Sequence, residues 1–228
     1  MPVTKPSALE SAVERGLAVV KPRLRGVLHE AAFAVSLVTG TVLICLADSA
    51  RERVAVAVYA GSVALLFGTS AAYHRGVWSA RAHDVMARLD HSMIFVLIAG
   101  SYTPFALLLL HGARQWVVLG VVWGGAAVGV LLRNAWRQPP RWVFVALYLA
   151  LGWVAVGLFP DVLHRGGVAV LVLLAVGGLL YTAGAVIYAL RRPNPSPRWF
   201  GFHEVFHALT LAAFVTHYVA VSLTTYRT

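Results

Sequence analysis

Seven runs of almost uninterrupted apolar sequence, at about residues 27–47, 54–74, 90–110, 116–132, 142–159, 168–190 and 202–223, restrict this chain to one kind of fold. About 20 apolar residues in a helix cross a ~30 Å hydrocarbon core, where every backbone N–H and C=O must be satisfied within the protein. The 228 residues are 59% hydrophobic and only 12% charged, far too apolar for a water-soluble domain. The expected architecture is therefore all-α, an integral membrane bundle of seven transmembrane helices occupying residues 27–224. Polar breaks at 48–53, 75–89, 111–115, 133–141, 160–167 and 191–199 separate the helices, and none is long enough to hold a soluble domain. The single cysteine, Cys45, lies inside an apolar run, so an intrachain disulfide is excluded.

The basic residues orient the bundle, because Lys and Arg near a span resist translocation. Of the 19, five precede the first helix (Lys5, Arg15, Lys21, Arg23, Arg25), and the second, fourth and sixth connections carry three each. Only Arg51, Arg53, Arg114, Arg165 and Arg227 fall on the other side. The N-terminus is thus expected in the cytoplasm and the short tail 225–228 outside, in a multi-pass protein of the cell inner (plasma) membrane. The net charge of +10 becomes a topology signal that also draws anionic lipid headgroups to the cytoplasmic face. Basic residues are not interleaved with aromatics, so nucleic acid is not an expected partner. The segment 1–26 lacks the apolar core of a signal peptide. Within it Ser7 and Glu10 fit a capping box, and Leu9, Val13 and Leu17 recur at spacing four, predicting a short helix on the membrane surface.

Ionisable side chains inside a bilayer are costly and turn toward the bundle interior, so those within the spans are informative. His74 ends helix two at the cytoplasmic side, Asp90 opens helix three there, and His203 and His207 occupy the first two turns of helix seven. His29 in helix one lies near the same depth. His203 and His207, four apart, share one helix face. Three imidazoles and a carboxylate form the donor set of a catalytic zinc site, in which a fourth position stays open. Ser70, one turn before His74, would orient its ring or contact substrate, and Asp90 would hold or deprotonate a water at the metal.

The same stretch of helix seven reads HEVFH, which matches the HExxH of zinc proteases, where the glutamate is the general base. Glu204 stands about 100° from His203 and about 60° from His207 around the helix, near enough to reach the margin of the site. His91 points about 100° from Asp90 and falls outside the ligand set. His217 is about 15 Å deeper than His207, where it lines a substrate cavity or bonds between helices. Pro104 is expected to bend helix three and open space for a lipid chain.

Together, Ser70-x-x-x-His74, the run LDHSMIFVLIAGSYTPF at 89–105 and His203-x-x-x-His207 resemble the three signature motifs of the hemolysin III family. These are bacterial relatives of the progestin and adipoQ receptors. KPRLRGVLHE at 21–30 resembles the family's entry into helix one, and the likeness extends over about residues 21–220. The resemblance implies a seven-helix fold with zinc near the cytoplasmic face, held by His74, His203 and His207, with Asp90 engaging it through water. It also implies a superfamily shared with alkaline ceramidases, which hydrolyse lipid amides. The family's third motif requires no glutamate, which removes Glu204 as the base.

The function expected first is a zinc-dependent hydrolase of a lipid amide or ester, with Asp90 as base and proton carrier and Ser70 assisting the oxyanion. A membrane lipid is then the substrate. A non-catalytic sensor of membrane lipid state, with zinc locking helices two, three and seven, is the alternative. The family name adds cytolysis as a third reading, but seven apolar helices do not suit a secreted pore former, so lysis would be indirect.

Overall fold

The computed structural model describes residues 22–136 and 140–226. The surface helix expected around residues 7–17 and the last two residues of the tail lie outside them. Among the described residues, seven α-helices of more than one turn run in chain order: α1 Val27–Cys45, α2 Ala50–Arg75, α3 Ala80–Leu109, α4 Gly112–Ala135, α5 Arg141–Gly152, α6 Gly167–Leu190 and α7 Phe202–Thr225. Among the described residues there is no β-strand, only one isolated bridge between Ser196 and Phe200.

Among the described residues, six helical stretches, not the expected seven, are long and apolar enough to cross a membrane. They are α1 to α4, α7, and a continuous 50-residue stretch, 141–190, that contains both α5 and α6. The expected break at 160–167 does not interrupt the winding. α5 passes through a 3-10 segment Trp153–Leu158, a turn Phe159–Asp161 and a π-helical turn Val162–Gly166. Pro160 sits at the start of its turn, where a missing N–H costs nothing. The reversal falls at Gly167, whose φ of 81° suits glycine alone. α5 then packs against α6, so the stretch doubles back on itself.

The helices start where their caps dictate. Ser49 accepts from the Glu52 N–H at 3.2 Å while Glu52 Oε2 accepts from the Ser49 N–H at 3.0 Å, a reciprocal cap that sets the start of α2. Ser79 caps α3, which begins ten residues before the apolar run it was read from. α3 is 30 residues, about 45 Å at 1.5 Å per residue, so its polar first turns extend past a ~30 Å core.

Consecutive helices pack side by side, and α7 closes the ring on α1. α3 also touches α5 and α7, which places it at the centre of the bundle. The core includes Tyr59, Phe67 and Phe95, whereas Val38 of α1, Leu131 of α4 and Val168 of α6 remain about two-thirds exposed on the outside. In a water-soluble protein that outer belt would be a liability; in a bilayer it is the lipid-facing surface. At the far end, Arg114 forms an ion pair with Asp161 at 2.8 Å and Arg165 donates to the Leu109 carbonyl at 2.9 Å, fastening the turn before α6 to the α3–α4 junction.

Candidate metal centre

The three predicted ligands converge. One ring nitrogen from each of His74, His203 and His207 lies within 4.8 Å of the others, and all three side chains are buried. His74 Nε2 and His203 Nε2 face each other at 3.1 Å. Around a tetrahedral zinc with bonds of about 2.0–2.1 Å, ligand nitrogens stand about 3.3 Å apart. The His74–His203 pair thus stands near the spacing that a bound cation imposes, with His207 within 4.8 Å of both. Neutral nitrogen donors, a buried setting and an i, i+4 pair on α7 answered by α2 fit a metal ion.

Helix starts set this geometry. Phe202 N–H donates to Asn194 Oδ1 at 3.1 Å, and Gly201 N–H donates to Glu204 Oε2 at 2.7 Å, so the first turn of α7 is fixed where both histidines project inward. The other oxygen of Glu204 pairs with Arg25. Glu204 is only 1% exposed. Both its carboxylate oxygens are committed to structure, so in HEVFH the glutamate serves as a helix cap and ion-pair partner beside the two histidines. The segment before α1 is held beside it: Arg23 N–H donates to the Arg198 carbonyl at 3.0 Å, and the Arg23 guanidinium lies 4.5 Å over the Trp199 ring. Glu30 and Arg75 add a surface ion pair at 2.9 Å.

Ser70 and Asp90 flank the cluster without joining it. Ser70 Oγ is 2.8 Å from His29 Nδ1, and the Asp90 carboxyl lies against the Ser70 side chain. His29, placed at this depth by sequence but given no part, stacks on His207 with ring centroids 3.7 Å apart. The spacing of residues within α1 and α7 carries no signal of that cross-helix stack, nor of the Arg25–Glu204 pair. His91 is spent elsewhere: its Nδ1 meets the Ala87 carbonyl at 2.6 Å and its Nε2 meets the Tyr188 hydroxyl at 3.0 Å. Pro104 lies buried within α3, which continues through it.

The cluster stands at one end of a cavity of about 300 Å³, in the size range of ligand sites. His29, Ser70, Asp90, His203 and His207 line its polar end, and Leu66, Ile94, Leu97, Phe105 and Leu174 are among the apolar residues beyond. α4 packs outside it. Chemically, this is a buried cluster of nitrogen donors that could hold a metal ion, with a carboxylate and a hydroxyl alongside, opening into a space suited to hydrocarbon.

Residues 17–218 match a family model described as Haemolysin-III related. The chain is 30% identical to a "Hemolysin-3 homolog" of Bacillus subtilis over 155 residues, covering 68% of this chain and 72% of that protein. It is 33% identical to "Hemolysin-3" of Bacillus cereus over 141 residues, 61% of this chain and 64% of that one, a little under two thirds of its length. A rice "Heptahelical transmembrane protein ADIPOR2" is 31% identical over 181 residues, 72% of this chain and 78% of the relative.

Proposed function

The chain belongs to the haemolysin-III-related family of multi-pass membrane proteins, and from that premise we propose that it is a zinc-dependent hydrolase of a lipid amide or ester. The observation that carries this reading is the convergence of three buried imidazoles at the polar end of an apolar cavity. His74, His203 and His207 would hold the zinc. When bound, zinc supplies a Lewis acid that polarises a carbonyl and acidifies water. Asp90 would accept the proton of the attacking water at a carboxylate oxygen and return it to the leaving amine or alkoxide. His29, donating from Nδ1, would leave the Ser70 hydroxyl hydrogen free for the developing oxyanion. The hydrocarbon part of the substrate would fill the cavity and exclude bulk water.

A second reading, a sensor of membrane lipid state with structural zinc, draws support from the closed surroundings of the cluster. Arg25, Glu204 and the 22–26 segment tie α1 to α7 beside the site, as a structural clamp would. The two readings part at Asp90, which only the hydrolase needs.

We also infer that the 50-residue stretch 141–190 crosses the membrane twice, giving seven crossings with the N-terminus cytoplasmic. At 1.5 Å per residue it is about 75 Å long, more than twice a ~30 Å core, and it doubles back at Gly167. The rice relative's name says heptahelical. This topology puts the zinc site in the cytoplasmic leaflet of the inner membrane, among anionic headgroups. The decisive test is metal analysis of purified wild type and His207→Ala, followed by a lipid hydrolysis screen on the same samples. Stoichiometric zinc in the wild type, its loss in the variant and release of fatty acid are expected. A wild type without metal above background ends the proposal.

A further inference from the structure

At the end of the cavity remote from the histidine cluster stands a polar group with no structural employment. His217 lines the cavity, is only 9% exposed, and neither of its ring nitrogens makes a hydrogen bond. The Leu174 carbonyl approaches the ring without completing one. Even with the N–H committed there, a neutral imidazole keeps a second nitrogen that can only accept. The Tyr181 ring stands edge-on to His217 at 5.4 Å and lines the same cavity. Close to Tyr181, the buried Tyr59 hydroxyl is likewise without a hydrogen-bond partner. A buried polar atom left unpaired costs stability, and here several gather in one place.

The backbone makes room for this arrangement. A Cβ on Gly177 of α6 would lie 2.4 Å from His217 Cδ2, so any other residue there would displace the ring. Ten residues separate His207 from His217 on α7, about 15 Å at 1.5 Å per residue, so one long-chain ligand could touch both.

We propose that His217 and Tyr181 form a second polar subsite, which binds a hydroxyl borne partway along the hydrocarbon chain of the lipid whose carbonyl or carboxylate faces the histidine cluster. A hydroxyl donates to the accepting nitrogen of His217 and accepts from Tyr181, pairings that a plain methylene chain cannot make. The inference rests on the reading of the cavity as a lipid site, and it adds a preference for hydroxylated chains. A site built around a hydroxyl discriminates against the analogue that lacks one, because its own polar atoms are then left unpaired.

The test compares 12-hydroxystearate with stearate as competitors of a fluorescent fatty acid bound to the zinc-loaded protein in detergent. Wild type is expected to favour the hydroxy acid by about fivefold to tenfold, the yield of one or two hydrogen bonds. In His217→Phe and Tyr181→Phe, which keep the rings and remove the polar atoms, the ratio is expected to fall toward unity. Comparing the wild-type ratio with the variant ratio cancels the unequal partition of the two acids into detergent. Equal binding in the wild type, or a preference surviving in both variants, overturns the subsite while leaving a lipid cavity. Failure of either acid to displace the probe overturns the lipid reading along with it.

Discussion

Glu204 lies between two histidines of the candidate metal centre, yet its carboxylate accepts the Gly201 N–H and pairs with Arg25. Glu204→Gln keeps the shape and removes the charge, leaving Arg25 without its partner. A loss of about 1.5–3 kcal/mol is expected, the usual worth of a hydrogen bond to a charged group. Zinc stoichiometry should be unchanged, and thermal unfolding with metal analysis reads both. A variant that binds zinc and folds normally but loses all hydrolysis would restore Glu204 as the base. Asp90→Asn makes the opposite demand. It should retain zinc and fold while turnover falls by about 10²–10⁴, the range for a lost general acid–base. Single-turnover hydrolysis on metal-replete protein checks it, and unaltered turnover removes Asp90 from the mechanism. The convergence of these side chains was legible in the sequence because ionisable residues are rare in apolar helices, so His74, Asp90, His203 and His207 at one depth stand out. Their supports were not. The His29 stack on His207 and the Arg25 contact depend on how α1 leans against α7, which no spacing within either helix encodes.

The elements were legible to different degrees for a physical reason: hydropathy reports where a helix is in lipid, while capping reports where it begins. α1 and α7 match their apolar runs closely, but α3 starts at the Ser79 cap, ten residues before its run. The junction between α5 and α6 escaped because a polar, proline-containing segment normally ends a helix. Here Pro160 occupies a first-turn position, and the winding continues through 3-10 and π-helical turns until Gly167 reverses the chain. Two crossings by this stretch predict that single cysteines placed at His164 and at Asn134, in a Cys45→Ser background, lie on opposite sides. A membrane-impermeant thiol reagent added to intact cells should label position 164 and spare position 134 until the membrane is opened. Labelling of both from outside would falsify the double crossing.

In the molecule as a whole, the ring closes where α7 meets α1, and the histidine cluster bridges α2 to α7 at that seam. A ligand that binds only the folded protein stabilises it by RT ln(1 + [L]/Kd), about 4 kcal/mol at a thousandfold excess over Kd. Chelation of zinc should therefore lower the melting temperature of the entire bundle, by several degrees or more at this chain length. Recovery on adding zinc is the check, and a chelator without effect argues that the cluster holds no metal. The same closed architecture bears on lysis, the property named in the Bacillus relatives. A protein whose α1, α4 and α6 expose many large apolar side chains needs a bilayer or detergent around it at every stage. It cannot travel through water as a pore former must before insertion. Purified protein diluted from detergent onto red cells should therefore cause no lysis beyond the detergent control. Any lysis in cells that make the protein should instead track hydrolysis, disappearing with Asp90→Asn while the protein stays in the membrane. Lysis that persists in that variant separates membrane damage from the zinc chemistry and assigns it to the bundle itself.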